Sequence, residues 1–124
     1  MTVHLDTSVL VGALTGRRRS LETLLALSRD GHRLAVSTLV LYEWRRGPRT
    51  HEEIDAQEEL FPAESAVTFG AAEASLAADL YRRVTRPRGR EIDLAIAATA
   101  LAHNAAILTL NPSDFTDIPN LNVL

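Results

Sequence analysis

Short apolar runs alternate with longer segments of helical spacing along this chain. The short runs predict four strands and a last edge strand, at residues 3–5, 33–37, 66–69, 106–110 and 120–124. The longer segments predict helices at residues 8–14, 18–29, 38–46, 50–60, 71–85 and 92–103, with one more helix starting at 111–112. Strands that alternate with helices in this way indicate an α/β fold, with a mainly parallel sheet of four to five strands and helices on both faces.

The helical segments differ in how they are expected to be buried. Leu76, Leu80 and Val84 follow the i, i+4, i+8 spacing of one helix face, whereas residues 92–103 are apolar on all sides and predict a buried helix. Residues 50–60 are acidic and predict a mostly exposed helix. We read no repeat and no low-complexity tract, and we expect one domain over residues 1–124.

A parallel sheet of this kind binds ligands beyond the carboxyl ends of its strands. Asp6 follows the first strand, and Glu43 lies in the helix after the second strand. Asp93 begins the apolar helix, and Asn111 and Asp114 follow the fourth strand. Four carboxylates from distant parts of the chain are therefore expected near one rim of the sheet.

Each of these acids also has a purely structural explanation. Asp6 can serve only as a helix N-cap, and Asp93 and Asp114 suit the positive N-termini of their helices in any protein. Glu43 can lie on a solvated helix face, although its neighbours are apolar. Taken together, clustered carboxylates repel one another unless a cation is present, and Mg²⁺ prefers such oxygen ligands. A carboxylate-bound metal suits phosphodiester hydrolysis.

Composition narrows the alternatives. The chain has 124 residues, 46% apolar and 23% charged, without a cysteine or a lysine. These absences exclude a disulfide scaffold, a thiolate zinc site, a cysteine nucleophile, a phosphate loop of the Walker-A type and a Schiff-base lysine. The net charge of −3 argues against indiscriminate coating of nucleic acid. No segment has the length of a membrane span and the start lacks a leader pattern, so we expect a cytoplasmic protein.

Four motifs occur in the order of a known family: VHLDTS at residues 3–8, YE at 42–43, DLAIAATA at 93–100 and LTLNPSDF at 108–115. With these motifs the chain resembles the PIN-domain ribonucleases, and most of all the VapC-type toxins of toxin–antitoxin pairs. The resemblance covers the whole length. The four motifs in order are specific, whereas any one alone is a weak signal.

The resemblance assigns roles to individual residues. Asp6, Glu43 and Asp93 correspond to catalytic metal ligands, and Thr7 or Ser8 is a supporting polar group. Many family members have aspartate where this chain has Asn111, and many have aspartate three positions later, at Asp114. We expect Asp114 to be the charged fourth member and Asn111 to be a supporting ligand or an N-cap. Glu91 lies about 200° around the helix from Asp93 and is expected to face solvent or an arginine.

The implied function is that of a type II toxin. It would be an endoribonuclease that depends on Mg²⁺, or on Mn²⁺, and hydrolyses single-stranded or looped RNA to products with a 5′-phosphate and a 3′-hydroxyl. The resemblance also implies a cognate antitoxin that inhibits the toxin, and a toxin homodimer.

Arginines and aromatic residues suggest where RNA binds. The arginines that we expect to contact RNA border the acids in sequence, and they are Arg45, Arg46, Arg86, Arg88 and Arg90. We interpret residues 17–19 as solvated helix ends. Few aromatic residues are available for base stacking, with Tyr42, Trp44 and Tyr81 the best candidates. We interpret all four histidines as structural.

Two other functions compete with this interpretation. A non-catalytic PIN-like module that binds RNA or protein is the more serious alternative, and Asn111 is the feature that supports it. An aspartyl-phosphate hydrolase with Asp6 as nucleophile is disfavoured, because that site needs a second acid where this chain has Ser8 and usually a lysine.

Overall fold

The chain forms three strands and six α-helices, and the computed structural model describes all residues from 1 to 124. The strands are β1 (Thr2–Leu5), β2 (Arg33–Ala35) and β3 (Ala106–Leu108). The helices are α1 (Thr7–Leu14), α2 (Leu21–Arg29), α3 (Thr38–Arg46), α4 (His51–Leu60), α5 (Ala71–Arg83) and α6 (Glu91–Ala102). Two 3₁₀ turns lie at Ala63–Ser65 and Pro112–Asp114. No helix combines the length and the apolar character that crossing a membrane requires.

The strands form a parallel sheet in the order β2-β1-β3. Val3 at the centre of this sheet pairs with Leu34 on one side and Ala106 on the other. This arrangement confirms the α/β fold and the parallel sheet. A sheet in which β1 is central places Asp6, the residue after β1, in the middle of the carboxyl edge.

The predicted count of four to five strands is not confirmed, because the sheet of the structure has three strands. Residues 66–69 and 120–124 contribute only isolated parallel bridges, Ser37 to Val67 and Ile107 to Val123. The first bridge is short because α3 begins at Thr38, so that the extended chain after β2 offers Val67 few partners. Each predicted strand therefore occupies an edge of the sheet but pairs at one position.

Side chains on both faces of β1 are buried. Val3 and Leu5 point to one face and His4 to the other, and none of the three is more than 2% exposed. Around this strand α5 packs along α6, α6 contacts β3 and α3, and α1 contacts α2, α3 and α4. Residues 94–100 of α6 are all buried, which confirms the prediction of a buried helix.

The helix boundaries agree best with the prediction where capping residues define them. α3 covers the predicted residues because Ser37 accepts a hydrogen bond from the Val40 amide at 3.2 Å and Gly47 follows its end. The acidic helix α4 buries only Gln57, as its composition predicts. The helix expected from Asn111 is instead a single 3₁₀ turn, because the Asn111 side chain makes no cap and Phe115 turns into the core.

Candidate functional site

Asp6 lies at the carboxyl end of β1, 6% exposed, and is held by hydroxyl groups. Ser8 Oγ donates to Asp6 Oδ2 at 2.9 Å, and Thr109 Oγ1 donates to the same oxygen at 2.8 Å. Asp6 occupies the N-cap position of α1, but its side chain makes no capping hydrogen bond. Its carboxylate is therefore directed to the hydroxyl groups at the sheet edge and not to the amides of the helix.

The two hydroxyl groups are oriented in turn by backbone amides of the segment after β3. The Leu110 amide donates to Ser8 Oγ at 3.1 Å, and the Asn111 amide donates to Thr109 Oγ1 at 3.0 Å. An amide that donates to a hydroxyl oxygen leaves the hydroxyl proton free to point at the carboxylate. The Oδ2 atom of Asp6 is therefore fixed in position, and its Oδ1 atom has no hydrogen-bond partner within the chain.

Glu43 reaches the same region from α3. Thr7 Oγ1 donates to Glu43 Oε1 at 2.6 Å, and Arg46 Nη2 lies 3.4 Å from Glu43 Oε2. The Glu43 side chain is 18% exposed, which is too little for a glutamate on a solvated helix face. Since Thr7 follows Asp6 directly, the Thr7–Glu43 hydrogen bond ties α3 to the end of β1.

Asp93 lies half-buried in the first turn of α6, and the charges of the other three acids affect its pKa. Burial, and then the charges of Asp6, Asp114 and Glu43, raise the pKa of Asp93 to about 6, against the opposing charge of Arg90. The cause lies in the spatial arrangement, because each of these acids comes from a different element. The four predicted carboxylates thus meet in one electrostatic cluster, which we call the acid rim (Asp6, Glu43, Asp93 and Asp114).

The fourth position of the acid rim is the most exposed. Asp114 ends the 3₁₀ turn after β3, and its amide donates to the Asn111 carbonyl at 3.0 Å. The Asn111 side chain is exposed and makes no hydrogen bond within the chain. Of the two candidates for the fourth position, Asp114 is the one that raises the pKa of Asp93.

Glu91 is separated from the acid rim, as the helical spacing predicts. It is exposed, and its carboxylate accepts from the Gly89 amide at 2.6 Å. It does not contribute to the raised pKa of Asp93. The carboxylate that α6 turns to the rim is therefore Asp93.

The atoms of the acid rim that could bind a metal suit a hard divalent cation. They are carboxylate and hydroxyl oxygens, and no histidine or thiol is among them. No group of three or more histidine, cysteine or acidic side chains lies close enough together to hold a metal ion by itself. Mg²⁺ needs no such group, since it commonly keeps several waters and binds directly to one or two carboxylates. A cation at the rim would also relieve the mutual repulsion that raises the pKa of Asp93.

The predicted RNA-binding arginines fall into two groups. Arg90 is held by Asp117, at 2.9 Å from Nη1 and 2.7 Å from Nη2, and its Nη2 also donates to the Asp114 carbonyl at 2.9 Å. Arg45 Nη2 pairs with Glu58 at 2.9 Å. Arg86 and Arg88 are exposed without an ion pair, and their contact with RNA stays a prediction.

Arg46 and the aromatic candidates are also separated by the structure. Arg46 lies 5.2 Å over the ring of Tyr42, which is 56% exposed beside Glu43. Trp44 is fully buried and cannot stack on a base. Tyr81 is exposed, but it lies on α5. Tyr42 is thus the aromatic side chain that the sequence places next to a rim acid and that the fold leaves accessible.

The histidines take no part in the acid rim, in agreement with their structural interpretation. His4 is buried on β1 and stacks on His103 with ring centroids 6.0 Å apart. Burial, and then the charge of His103, lower the pKa of His4 to about 4, so its ring is neutral at pH 7. The two rings line a cavity of about 520 Å³ together with Thr2, Arg33 and Phe61.

Sequence reasoning missed two contributors to the site. Thr109 was not predicted because its role depends on the register of the strands. Leu5 pairs with Leu108, so the next residues, Asp6 and Thr109, lie side by side. Asp117 escaped because its partner, Arg90, lies 27 residues away in the chain. The signal for Thr109 was available, since a hydroxyl directly after a strand occupies the same edge as Asp6.

Comparisons with known proteins show which family the chain is similar to. The family model described as the PIN domain matches residues 3–121. Ribonuclease VapC19 of Mycobacterium tuberculosis is 33% identical over 119 residues, which cover 94% of each chain.

Solved structures are similar over nearly the whole length. A chain of the DNA-bound VapBC from Salmonella typhimurium matches with a TM-score of 0.77 and 18% identity, covering 100% of this chain and 97% of the other. A chain of VapBC2 from Rickettsia felis, bound to a DNA fragment from its promoter, matches with a TM-score of 0.75 and 23% identity, covering 100% and 98%. At these identities the structural matches establish the fold.

Proposed function

The chain belongs to the PIN-domain family and to the VapC ribonucleases within it, and from this premise we propose that it is the toxin of a type II toxin–antitoxin pair, an endoribonuclease that depends on a divalent metal ion. The observation that carries the proposal is the convergence of four carboxylates from separate elements. Burial of Asp93, and then the charges of the other three acids, raise the pKa of Asp93 to about 6. The proposed PIN domain spans residues 1–124.

Asp6, Asp93, Glu43 and Asp114 would hold the metal, and Mg²⁺ is the ion that we propose, with Mn²⁺ as an alternative. A divalent ion bound there lowers the pKa of water and offsets the charge that develops on a phosphoryl group during hydrolysis. Thr109 and Ser8 keep one oxygen of Asp6 occupied, so that the other faces the rim. Thr7 fixes Glu43 by its 2.6 Å hydrogen bond, and Asn111 orients Thr109 through its backbone amide.

We propose that Arg90 positions other residues of the site and does not itself bind RNA. Its guanidinium bridges Asp117 and the Asp114 carbonyl, so it holds the turn after β3 against the start of α6. The same charge lies close enough to Asp93 to lower the pKa of that carboxyl against the effect of the other acids. Arg90 therefore keeps Asp114 beside Asp93.

An antitoxin partner is supported by an apolar groove and by the acid rim. The groove, of about 360 Å³, lies between α2 and the end of α4 and is lined by Leu21, Leu24, Leu25, Leu60 and Phe61. Leu25 is 45% and Leu60 is 49% exposed, so the groove suits an apolar helix face. We propose that the antitoxin covers this groove and inhibits the enzyme. A homodimer and a cytoplasmic location belong to the same proposal.

The experiment combines the purified chain with total cellular RNA, with Mg²⁺ and with excess chelator, and maps the new 5′ ends. We expect cleavage that needs the metal and that leaves 5′-phosphates. Asp6→Asn should abolish it, because the charge at the centre of the rim is lost. Cleavage that survives the chelator points to a contaminating nuclease.

The same experiment separates the enzyme from the non-catalytic alternative. RNA that binds to the wild-type chain in Mg²⁺ and stays intact would establish a PIN-like binding module. The replacement of aspartate by Asn111 is the feature that favours that outcome, and the charge of Asp114 beside Asp93 is the feature that opposes it.

A further inference from the structure

The turn between α1 and α2 carries three consecutive arginines, Arg17, Arg18 and Arg19. All three are exposed, and none forms an ion pair or a side-chain hydrogen bond within the chain. Their exposure agrees with the expectation of solvated helix ends. Their lack of partners distinguishes them from Arg45 and Arg90, whose guanidinium groups are already occupied.

This arginine turn (residues 15–20) is held rigidly against α1. The Ser20 amide donates to the Gly12 carbonyl and the Arg18 amide to the Thr15 carbonyl, both at 3.0 Å. A Cβ on Gly12 would lie 2.5 Å from Ser20 Oγ, so the turn and the helix are in close contact. Arg18 adopts a φ of +52°, a conformation that costs energy for a side chain with a Cβ. The arginines therefore extend from an ordered base.

The arginine turn adjoins the acid rim through Leu110. A concave surface of about 410 Å³ is lined by the three arginines together with Gly12, Thr15, Ser20 and Leu110. The Leu110 amide donates to Ser8 Oγ, which itself donates to Asp6 at 2.9 Å. Gly12 lies four residues after Ser8, and thus roughly one helical turn along α1. No carboxylate lines the concavity.

We propose that this concavity is a phosphate subsite for the RNA backbone and binds a phosphate that flanks the one that is cut. The inference rests on the proposed function. The acid rim repels a polyanion, so the substrate needs cations beyond the rim, and unpaired guanidinium groups bind phosphate oxygens in a bidentate manner. The arginine turn supplies them next to Leu110, whose amide donates to the Ser8 hydroxyl that is bound to Asp6.

The test compares two triple variants that remove the same charge. Arg17→Gln, Arg18→Gln and Arg19→Gln together remove the subsite. Arg29→Gln, Arg82→Gln and Arg83→Gln together form the control, on exposed surfaces of α2 and α5. The substrate is an oligoribonucleotide that spans a cleavage site mapped in total RNA. KM and kcat are measured for both variants over a range of salt concentrations.

The subsite variant should raise KM about tenfold or more, with kcat within about twofold, because the turn binds substrate without touching the reacting atoms. The slope of log KM against log salt should fall by roughly 0.7 for each phosphate that the variant no longer binds. The control should change neither KM nor the slope beyond the effect of net charge. Equal effects of the two triple variants overturn the proposal. The alternative is then that the arginine turn binds an acidic segment of a protein partner.

A second arm identifies the phosphate by changing the substrate. Each phosphate flanking the cut is replaced in turn by a neutral methylphosphonate. At the position that the arginine turn binds, the methylphosphonate should lower the affinity of the wild type as much as the triple substitution lowers the affinity for unmodified RNA. The same methylphosphonate should not lower the affinity of the subsite variant any further. If no position behaves in this way, the proposal is wrong.

Binding of the same oligoribonucleotide to the Asp93→Asn chain, followed by fluorescence anisotropy, separates the two hypotheses. This assay needs no turnover. If the wild type cuts no RNA, the ribonuclease proposal fails. A single-stranded oligoribonucleotide of arbitrary sequence then replaces the mapped substrate, and the loss of affinity with the arginine substitutions still reports on the subsite. Unchanged affinity in this assay counts against the subsite alone.

Discussion

His4 and Asp6 are two residues apart on β1, and their surroundings differ completely. His4 lies against His103 in the wall of the cavity of about 520 Å³, where burial keeps it neutral. Asp6 lies at the end of the strand among two hydroxyl donors and three other acids. None of the four acids of the acid rim lines the cavity beside His4. The proposed site is therefore marked by converging charge and not by that cavity.

The most severe test of this contrast is Asp93→Asn. We expect RNA cleavage to fall by about a hundredfold or more, because the variant loses a charge that is proposed to hold the metal. The folded state should not be harmed, since the substitution removes a half-buried carboxylate from among like charges. Cleavage rates and thermal unfolding in metal-free buffer measure the two effects. Loss of stability together with activity would show that Asp93 has a structural role.

His4→Ala should show the opposite pattern. The side chain is 2% exposed, so its removal leaves a void and should cost about 2–4 kcal/mol of the free energy of unfolding. RNA cleavage at a temperature where the variant is folded should match the wild type. Denaturant unfolding and cleavage kinetics check this, and a large change in kcat would mean that the His4 cavity communicates with the acid rim.

The two regions should respond to pH with opposite signs in metal-free buffer. The pKa of Asp93 is raised from 3.8 to about 6, so the folded state binds the extra proton and stability falls as pH rises through this interval. The pKa of His4 is lowered from 6.5 to about 4, so the unfolded state binds the extra proton and stability rises with pH through that interval. In the wild type these two slopes oppose each other.

Single variants should reveal each slope separately. Asp93→Asn should make stability increase more steeply with pH between about 4 and 6, and His4→Phe should make it decrease, each by about 1–3 kcal/mol across the interval. Denaturant unfolding at several pH values measures both. Parallel curves for the two variants and the wild type would contradict the assigned protonation states.

The smallest effect is expected at Thr109. Thr109→Val keeps the shape but removes one of the two hydroxyl donors to Asp6 Oδ2, and it should lower cleavage about tenfold. Thr109→Ser keeps the hydroxyl and should stay within about threefold of the wild type. The required metal concentration should rise in the first variant only. Equal activity of both variants would show that Ser8 alone orients Asp6.

The sequence predicted the acids of the site better than the contacts that arrange them. Asp6 was identifiable because an acid directly after a strand has a fixed place at the carboxyl edge of a parallel sheet. Glu43 and Asp93 lie in helices, and they were predicted from the placement of those helices next to strands and from the family motifs. The partners of Arg90 and the hydroxyl of Thr109 depend on register and on contacts between distant segments, which spacing does not reveal.

The fold shows the same division. α3 was predicted at both ends because Ser37 and Gly47 mark its limits locally. The strand predicted at 66–69 has suitable residues, including Val67, yet pairs at one position because α3 begins beside it. A local pattern indicated extended backbone correctly, and only the neighbouring element decided how much of it joined the sheet.

Gly12 is the point where the arginine turn and the segment after β3 both meet α1. A single added methyl group would lie 2.5 Å from Ser20 Oγ and 3.2 Å from Leu110 Cδ1, so it would push on both at once. Gly12→Ala is therefore a natural starting point for an attenuated, temperature-sensitive allele. Such an allele would let a host carry this gene without the proposed antitoxin and regain the proposed activity on cooling.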